Sequence, residues 1–298
     1  MNRYVKSLLL KMELFRDLQE GRALRGKREA GEFPVFLDYE VRSVPRYGYG
    51  RPPHGKLFEI LNRNRLEYAR TLQRFLEFKD SLQRIPVHKP EDVAMPYWQN
   101  GFLMGLDPVS LYSFACLKNP QTYIEIGSGN STKFMRKAIR DHGLRTRIVS
   151  IDPDPRADID KLCDEIRRQP LEETDLTLFE SLAAGDILLV DGSHRVFMNS
   201  DVTVVFLDLL PALRPGVLVY IDDIYLPLDY PQKWASRYYS EQYLLAVLLL
   251  TGAARYEVLL PCNFVAHDPE LHKVLAPLWT GALAEGVSPG NGFWLVTR

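Results

Sequence analysis

The segment Tyr123–Thr132, YIEIGSGNST, constrains the fold of this chain more than any other stretch. A largely apolar run ends in an acid, a Gly-Ser-Gly and a polar cap follow, and the helical run KFMRKAIR comes next. This pattern predicts a strand, a tight turn and a helix N-terminus. Because Gly127 and Gly129 have no Cβ, the chain can turn sharply and a ligand can approach the backbone. The free N–H groups of the helix would then face that ligand.

The next strand signal, RIVSIDPDP, ends in an acid at the spacing that a ribose-binding residue requires. Asp152 lies 23 residues after Gly129, and nucleotide-binding βαβ units place such an acid roughly 20 residues on. The dinucleotide fingerprint G-x-G-x-x-G needs a third glycine for close helix packing, and this chain has Thr132 there. What remains is E-x-G-x-G-x-S. Taken alone, this segment could also be an ordinary strand-to-helix turn, and Asp152 a turn acid before proline.

Two further apolar runs end in charged residues. GDILLVDGSH ends in Asp191 and His194, and GVLVYIDDIYLP ends in Asp222 and Asp223. Short apolar runs bounded by glycine and polar residues are typical of parallel strands that are covered on both faces. Charged residues gathered just past several such strands mark the ligand crevice of an open α/β sheet.

These motifs together resemble the class I S-adenosylmethionine (SAM) methyltransferases. The order DGSH and then DDI resembles the branch that contains sugar and macrolide O-methyltransferases, and the resemblance covers roughly residues 121–298. It implies an α/β fold, a Rossmann-like sheet of seven strands with helices on both faces. We expect residues 1–118 to form an N-terminal helical cap region and residues 119–298 to form the SAM-binding domain.

The resemblance assigns residues to the cofactor. Glu125 and the backbone of the Gly127–Gly129 turn would lie near the amino-acid portion of SAM, and Asp152 would accept hydrogen bonds from the ribose hydroxyls. The adenine would lie near Glu173 and Asp175. The complete expected cofactor set is Glu125, Gly127, Ser128, Gly129, Ser131, Asp152, Pro153, Asp175 and Asp191.

Catalysis is expected from His194 and Asp191. A hydroxyl acceptor must lose its proton, and a base with a near-neutral pKa assists. In catechol-type O-methyltransferases a metal-binding Asp precedes a catalytic Lys by three residues, and His194 takes that place here. Asp191, Asp222 and Asp223 are accordingly predicted to bind Mg²⁺ or another divalent cation, which would relieve carboxylate repulsion. The alternative is that Asp223 caps a turn and His194 bonds a backbone carbonyl.

The rest of the chain is predicted from its apolar periodicity. Residues 1–30 indicate an amphipathic helix, and residues 56–85 indicate one long helix or two short ones. Between the strands, helices are expected at 157–168, 176–182 and 200–214, the last interrupted at Pro211, with a short third strand near 168–175. The C-terminal part is predicted as helix EQYLLAVLLLT, strand RYEVLLP, helix PELHKVLAPLW and strand GFWLVTR. The aromatic residues of PYWQNG and LDYPQKWASRYYSEQY could line an acceptor pocket or pack the N-terminal segment onto the sheet.

Composition and charge indicate which partners and which cellular location to expect. The chain has 298 residues and a net charge of −1, so it carries no basic field for a nucleic acid. Its longest apolar run is well short of the about 20 residues that span a bilayer, and the three cysteines are odd in number, so we expect a reduced, cytoplasmic protein. A homo-oligomer is left open.

The sequence thus predicts SAM-dependent O-methylation of a small hydroxylated acceptor, a sugar or another natural product. Two alternatives remain at this point, an NAD-dependent oxidoreductase and a non-catalytic SAM-binding protein. The missing third glycine counts against the first, and the intact Asp191, His194 and Asp222 count against the second.

Overall fold

The computed structural model describes residues 19, 21–27, 29, 35, 38–252, 254–284 and 289–298. The chain divides into two compact units, Met1–Ser43 and Val44–Arg298. In the first unit, residues 21–27 are helical, whereas residues 1–18 of the predicted amphipathic helix lie outside the described part. All later statements concern the second unit.

Within the described residues, seven strands form one sheet in the order β3-β2-β1-β4-β5-β7-β6. The first five strands run parallel, and β7 lies antiparallel between β5 and β6. The predicted seven-stranded Rossmann-like sheet is therefore confirmed. The strands are β1 Thr122–Ile126, β2 Arg147–Ile151, β3 Glu165–Arg167, β4 Ile187–Val190, β5 Leu218–Ile221, β6 Tyr256–Pro261 and β7 Phe293–Thr297.

Helices precede, connect and follow these strands. The α-helices are α1 Gly55–Asn62, α2 Arg65–Phe75, α3 Lys79–Gln83, α4 Leu106–Lys118, α5 Asn130–His142, α6 Asp201–Val204, α7 Leu210–Ala212, α8 Glu241–Leu250, α9 Cys262–His267 and α10 Leu271–Val274. Short 3-10 helices of one or two turns include Asp160–Leu162, Leu171–Glu173, Leu176–Ser181 and Gln232–Arg237. Among the described residues, no helix combines the length and the apolar character that a membrane crossing requires.

The region after β2 differs from the sequence prediction. The expected helix 157–168 is instead a 3-10 turn followed by β3, and the expected strand near 168–175 is another 3-10 turn. Asp164 explains the difference, because its carboxylate accepts hydrogen bonds from the Ile148 N–H at 2.8 Å and from Arg136 at 2.7 Å. These contacts hold the segment alongside β2 and override its helical periodicity.

The predicted interruption near Pro211 takes the form of a π-helical turn. Helix α6 continues into the turn Val205–Leu209, and α7 then carries Pro211. Proline has no N–H to donate within a helix, and a wider turn ahead of it accommodates the loss of one intrahelical bond.

The segment before β1 is bonded to the last two strands. The Asn64 side chain donates to the Val258 carbonyl oxygen at 3.3 Å. The buried Asp107 carboxylate accepts from the N–H groups of Asn291 and Gly292 at 2.7 and 2.8 Å. Residues 44–118 therefore share one packed unit with the sheet.

Candidate cofactor and catalytic site

Four strands of the sheet end in register. Ile126 of β1 is paired with both Ile151 of β2 and Val190 of β4, and Val190 is paired with Ile221 of β5. The residues that follow these ends, from Gly127 to Asp222, therefore emerge along one edge. The sheet brings the predicted cofactor and catalytic segments together there, as expected for the crevice of an open α/β sheet.

Gly127 begins a turn that is enclosed by its neighbours. Its φ is +79°, and a Cβ at this position would lie 1.9 Å from the backbone oxygen of Asp191. Its N–H donates to the Ile151 carbonyl oxygen at 2.9 Å. At Gly129 the φ is 171°, and a Cβ would meet no atom within 4 Å. The first glycine is thus required by the fold, while the second borders open space.

Glu125 stabilises this turn from within the protein. It is fully buried, and it accepts hydrogen bonds from the hydroxyls of Tyr123 at 2.8 Å, Ser131 at 3.0 Å and Thr132. The Thr132 hydroxyl in turn accepts the Gly129 N–H at 3.2 Å. Burial raises the pKa of Glu125 to about 7, although the three hydroxyl bonds lower it. Glu125 and Ser131 therefore fix the start of α5.

Asp152 joins the loops that follow β1 and β2. One carboxylate oxygen accepts the Ser128 N–H at 2.7 Å, and the other accepts the Asp154 N–H at 2.8 Å. The side chain remains partly exposed, and Pro153 beside it is exposed. This arrangement leaves Asp152 at the open edge with lone pairs for further donors.

Asp175 has a local role in the structure. Its carboxylate accepts the Thr177 N–H at 3.0 Å and caps the 3-10 turn Leu176–Ser181. This backbone hydrogen bond lowers the pKa of Asp175, whose side chain is exposed.

His194 lies at the centre of an acidic cluster. Its Nδ1 is 2.9 Å from Oε2 of the buried Glu241. Its Nε2 is 3.2 Å from Asp191 Oδ1 and 3.6 Å from Asp223 Oδ2. The His194 side chain is 5% exposed and that of Asp191 is 45% exposed. Asp191 is thus the member of the cluster that reaches towards solvent.

The backbone of the turn that carries His194 is also held in place. His194 has a φ of +60° and Asp223 a φ of +55°, which are left-handed conformations that non-glycine residues seldom adopt. The His194 carbonyl oxygen accepts the N–H groups of Ser240 at 2.8 Å and Glu241 at 3.2 Å. The turn after β4 is therefore held against the start of α8.

The cluster is electrostatically unusual. Burial alone would lower the pKa of His194, but hydrogen bonds to Asp191 and Glu241 raise it well above its ordinary value. Burial raises the pKa of Asp223 to about 6. Burial, together with the charges of Asp191 and Asp223, also raises the pKa of Asp222 well above its ordinary value. Near neutral pH, His194 is accordingly the cation that compensates these acids.

The donor geometry does not support the predicted metal site at Asp191, Asp222 and Asp223. The described residues contain no group of three or more His, Cys, Asp or Glu placed to hold a metal ion. Asp191 and Asp223 both face Nε2 of His194, and Asp222 Oδ1 accepts the Tyr220 hydroxyl at 2.8 Å. The carboxylates converge as predicted, but the charge between them is the imidazolium.

The two aromatic segments have different roles. Trp98 is buried and packs edge-on against Phe134 and Trp279, so it belongs to the core. In contrast, the ring of Tyr239 lies 4.6 Å from that of His194, and Trp234 lies 5.6 Å from Tyr239. Only the second segment borders the candidate site.

Residues 124–224 match the family model described as a methyltransferase domain. This segment is a methyltransferase domain. It runs from β1 past the end of β5, and it includes every predicted cofactor and catalytic residue. The class I methyltransferase indicated by the motifs is therefore confirmed, and SAM is the methyl donor that this class uses.

Several solved structures are similar to the methyltransferase at low identity. An O-methyltransferase from Bacillus cereus in complex with SAH is 16% identical, with a TM-score of 0.39 over 76% of this chain and 90% of that one. An SAH-bound methyltransferase from Podospora anserina is 14% identical, with a TM-score of 0.38 over 89% and 100%. A methyltransferase from Geobacter sulfurreducens is 19% identical, with a TM-score of 0.35 over 66% and 80%. No curated protein matches the chain.

Sequence reasoning missed Glu241 as part of the methyltransferase site. Glu241 begins an apolar helix 47 residues after His194, so no short motif connects the two. An acid in the first turn of a helix usually stabilises that helix's dipole, and here it also bonds the imidazole. The only signal in the sequence was a charged residue at the start of a largely apolar run.

Proposed function

We propose that this methyltransferase transfers the methyl group of SAM to a hydroxyl group of a small acceptor. The observation that supports the proposal best is the Glu241–His194–Asp191 arrangement. It lies at the same edge of the sheet as the Gly127–Gly129 turn, where SAM is expected to bind. A net charge of −1 provides no general attraction for a nucleic acid, which favours a small-molecule acceptor. We further propose that the protein works in the cytoplasm.

The residues at the strand ends fit SAM. Gly129 borders open space, so its backbone is accessible to a ligand. Asp152 keeps lone pairs for ribose hydroxyls beyond the two backbone N–H groups that it accepts. When bound, SAM supplies an electrophilic methyl group next to a positively charged sulfur.

The Asp191–His194 pair would act as the base. Asp191 is the exposed member and would receive the acceptor hydroxyl, while Nε2 of His194 lies behind it at 3.2 Å. Glu241 accepts the opposite ring N–H and so sets the orientation of the imidazole. The hydroxyl proton passes to this pair as the acceptor oxygen takes the methyl group.

The first test shows whether the protein binds the SAM type of cofactor or the NAD type. S-adenosylhomocysteine should raise the melting temperature of the protein and NADH should not. The opposite result would favour an oxidoreductase and overturn the proposal.

The second test distinguishes an enzyme from a non-catalytic SAM-binding protein. Labelled methyl transfer from SAM to hydroxylated small molecules should occur with the intact protein, and His194→Ala should lose most of it while retaining S-adenosylhomocysteine binding. His272→Ala, which changes an exposed histidine outside the site, is the matched control. Absence of transfer to any acceptor would favour the non-catalytic alternative.

A further inference from the structure

Two arginine side chains, those of Arg195 and Arg237, lie beside the acidic cluster around His194 and are called its rim here. The guanidinium carbon of Arg237 is 4.1 Å from the ring centroid of Trp234 and 5.5 Å from that of Tyr239. That of Arg195 is 5.2 Å from the Tyr239 centroid. The ring of Tyr239 lies 4.6 Å from that of His194, so this ring separates the two guanidinium groups from the proposed base.

Neither guanidinium is neutralised by a carboxylate within the part of the chain that the structure describes. Arg195 donates from Nε to the Arg237 carbonyl oxygen at 2.9 Å and from Nη1 to the Ser193 carbonyl oxygen at 3.0 Å. Arg237 is exposed, and among the described residues its side chain lies over the two aromatic rings. Its charge reaches Asp223, whose carboxyl pKa it lowers against the larger effect of burial.

Charge is therefore arranged in two layers at this site. The inner layer is acidic and consists of Asp191, Asp222, Asp223 and Glu241 around His194. The outer layer holds the two guanidinium groups, and the faces of Trp234 and Tyr239 lie beneath them. An anionic group would be repelled by the inner layer and attracted by the outer one.

We propose that the acceptor is a hydroxylated aromatic acid. This inference rests on the proposed function and names the substrate class of the same site. A planar carboxylate matches the fork of a guanidinium. An aromatic ring suits the edges of Trp234 and Tyr239, whose faces the guanidinium groups cover, and a hydroxyl at the far end of the ring would then be directed towards Asp191. A neutral sugar would leave both guanidinium groups without an anionic partner.

Three probes separate the ring from the charge. We would measure the binding of 4-hydroxybenzoate, of its neutral isostere 4-hydroxybenzamide, and of the anionic sugar glucuronate by calorimetry on the full chain saturated with S-adenosylhomocysteine. The expected result is that 4-hydroxybenzoate binds about tenfold more tightly than either comparison, as one charge-assisted contact provides. Equal binding of the acid and the amide, tighter binding of glucuronate, or no binding of any probe would overturn the proposal.

Two variants test whether the rim causes the preference for the acid over the amide. Arg237→Gln should reduce the binding of 4-hydroxybenzoate to the level of the amide and leave that of the amide unchanged. Lys233→Gln removes an exposed cation from the same 3-10 turn and should change neither. Equal losses in both variants would show a general charge effect and would also overturn the proposal. If the samples bind S-adenosylhomocysteine but show no preference for the acid, the proposed acceptor class fails. If they do not bind S-adenosylhomocysteine, the proposed function itself fails.

Discussion

The backbone oxygen of Asp191 lies 1.9 Å from the place where a Cβ on Gly127 would stand. Gly127→Ala should therefore destabilise the protein by about 2 kcal/mol or more, because it adds this clash to a left-handed φ. Gly129→Ala meets open space in an extended conformation, and it should lower the melting temperature little. It should instead weaken S-adenosylhomocysteine binding. Urea denaturation and calorimetry measure the two effects, and equal loss of stability in both variants would contradict this account.

Asp152→Ala should lower cofactor affinity by about two orders of magnitude or more. Two hydrogen bonds to a charged acceptor contribute roughly 1.5–3 kcal/mol each, and the ribose would lose both. Because Asp152 also holds the Ser128 N–H, folding must be checked by circular dichroism. Asp154→Ala removes an exposed carboxylate two residues away and is the control. Near-native affinity in folded Asp152→Ala would remove this residue from the cofactor site.

Methyl transfer should become faster as the pH rises through the raised pKa of His194. The pair accepts a proton only after His194 has lost its own, and hydrogen bonds to Asp191 and Glu241 outweigh burial and keep that proton on. Glu241→Gln removes a negative charge, so the acidic limb of the pH–rate profile should move to lower pH. His194→Ala should cost about 10²–10⁴-fold in rate. An unchanged profile in Glu241→Gln would show that Glu241 only packs against the ring.

The same proton is linked to stability. A histidine whose folded pKa is raised contributes stability fully below its unfolded pKa of about 6.5, and this contribution is lost as the pH rises through the folded value.

Chelation should leave activity unchanged. The imidazolium of His194 faces the carboxylates of Asp191 and Asp223, so the convergence of acids does not depend on a cation from solution. Turnover would be compared before and after EDTA treatment, with added Mg²⁺ as the reverse test. Activity that disappears with EDTA and returns with Mg²⁺ would contradict this expectation.

A fragment that ends near residue 115 should not unfold cooperatively. Asn64 and Asp107 have their partners at Val258 and at Asn291–Gly292, and the fragment would lose these while exposing the fully buried Tyr68 and Leu72. Urea titration followed by tryptophan fluorescence provides the measurement. A sharp transition in the isolated fragment would show that it is an independent domain.

The sequence predicted the elements whose signals are local. Strands β1, β2, β4 and β5 end in acids, and glycine marks the turn at Gly127, so both the sheet and the crevice could be predicted. The prediction of a helix at 157–168 was wrong because the hydrogen bonds that Asp164 accepts from Ile148 and Arg136 decide the conformation of this segment. These partners come from elsewhere in the chain. Glu241 and the two arginines at the rim were missed for the same reason, since contacts distant in sequence give them their roles.

The carbonyl oxygen of His194 receives the first N–H groups of α8, and the imidazole receives the side chain of the first residue of that helix. The proposed base is therefore mechanically part of a helix that begins more than 40 residues later. Leu245, which is fully buried in α8, lies one helical turn after Glu241. A substitution at this hydrophobic position that shifts the helix would therefore also shift the imidazole, although it changes no residue of the DGSH motif.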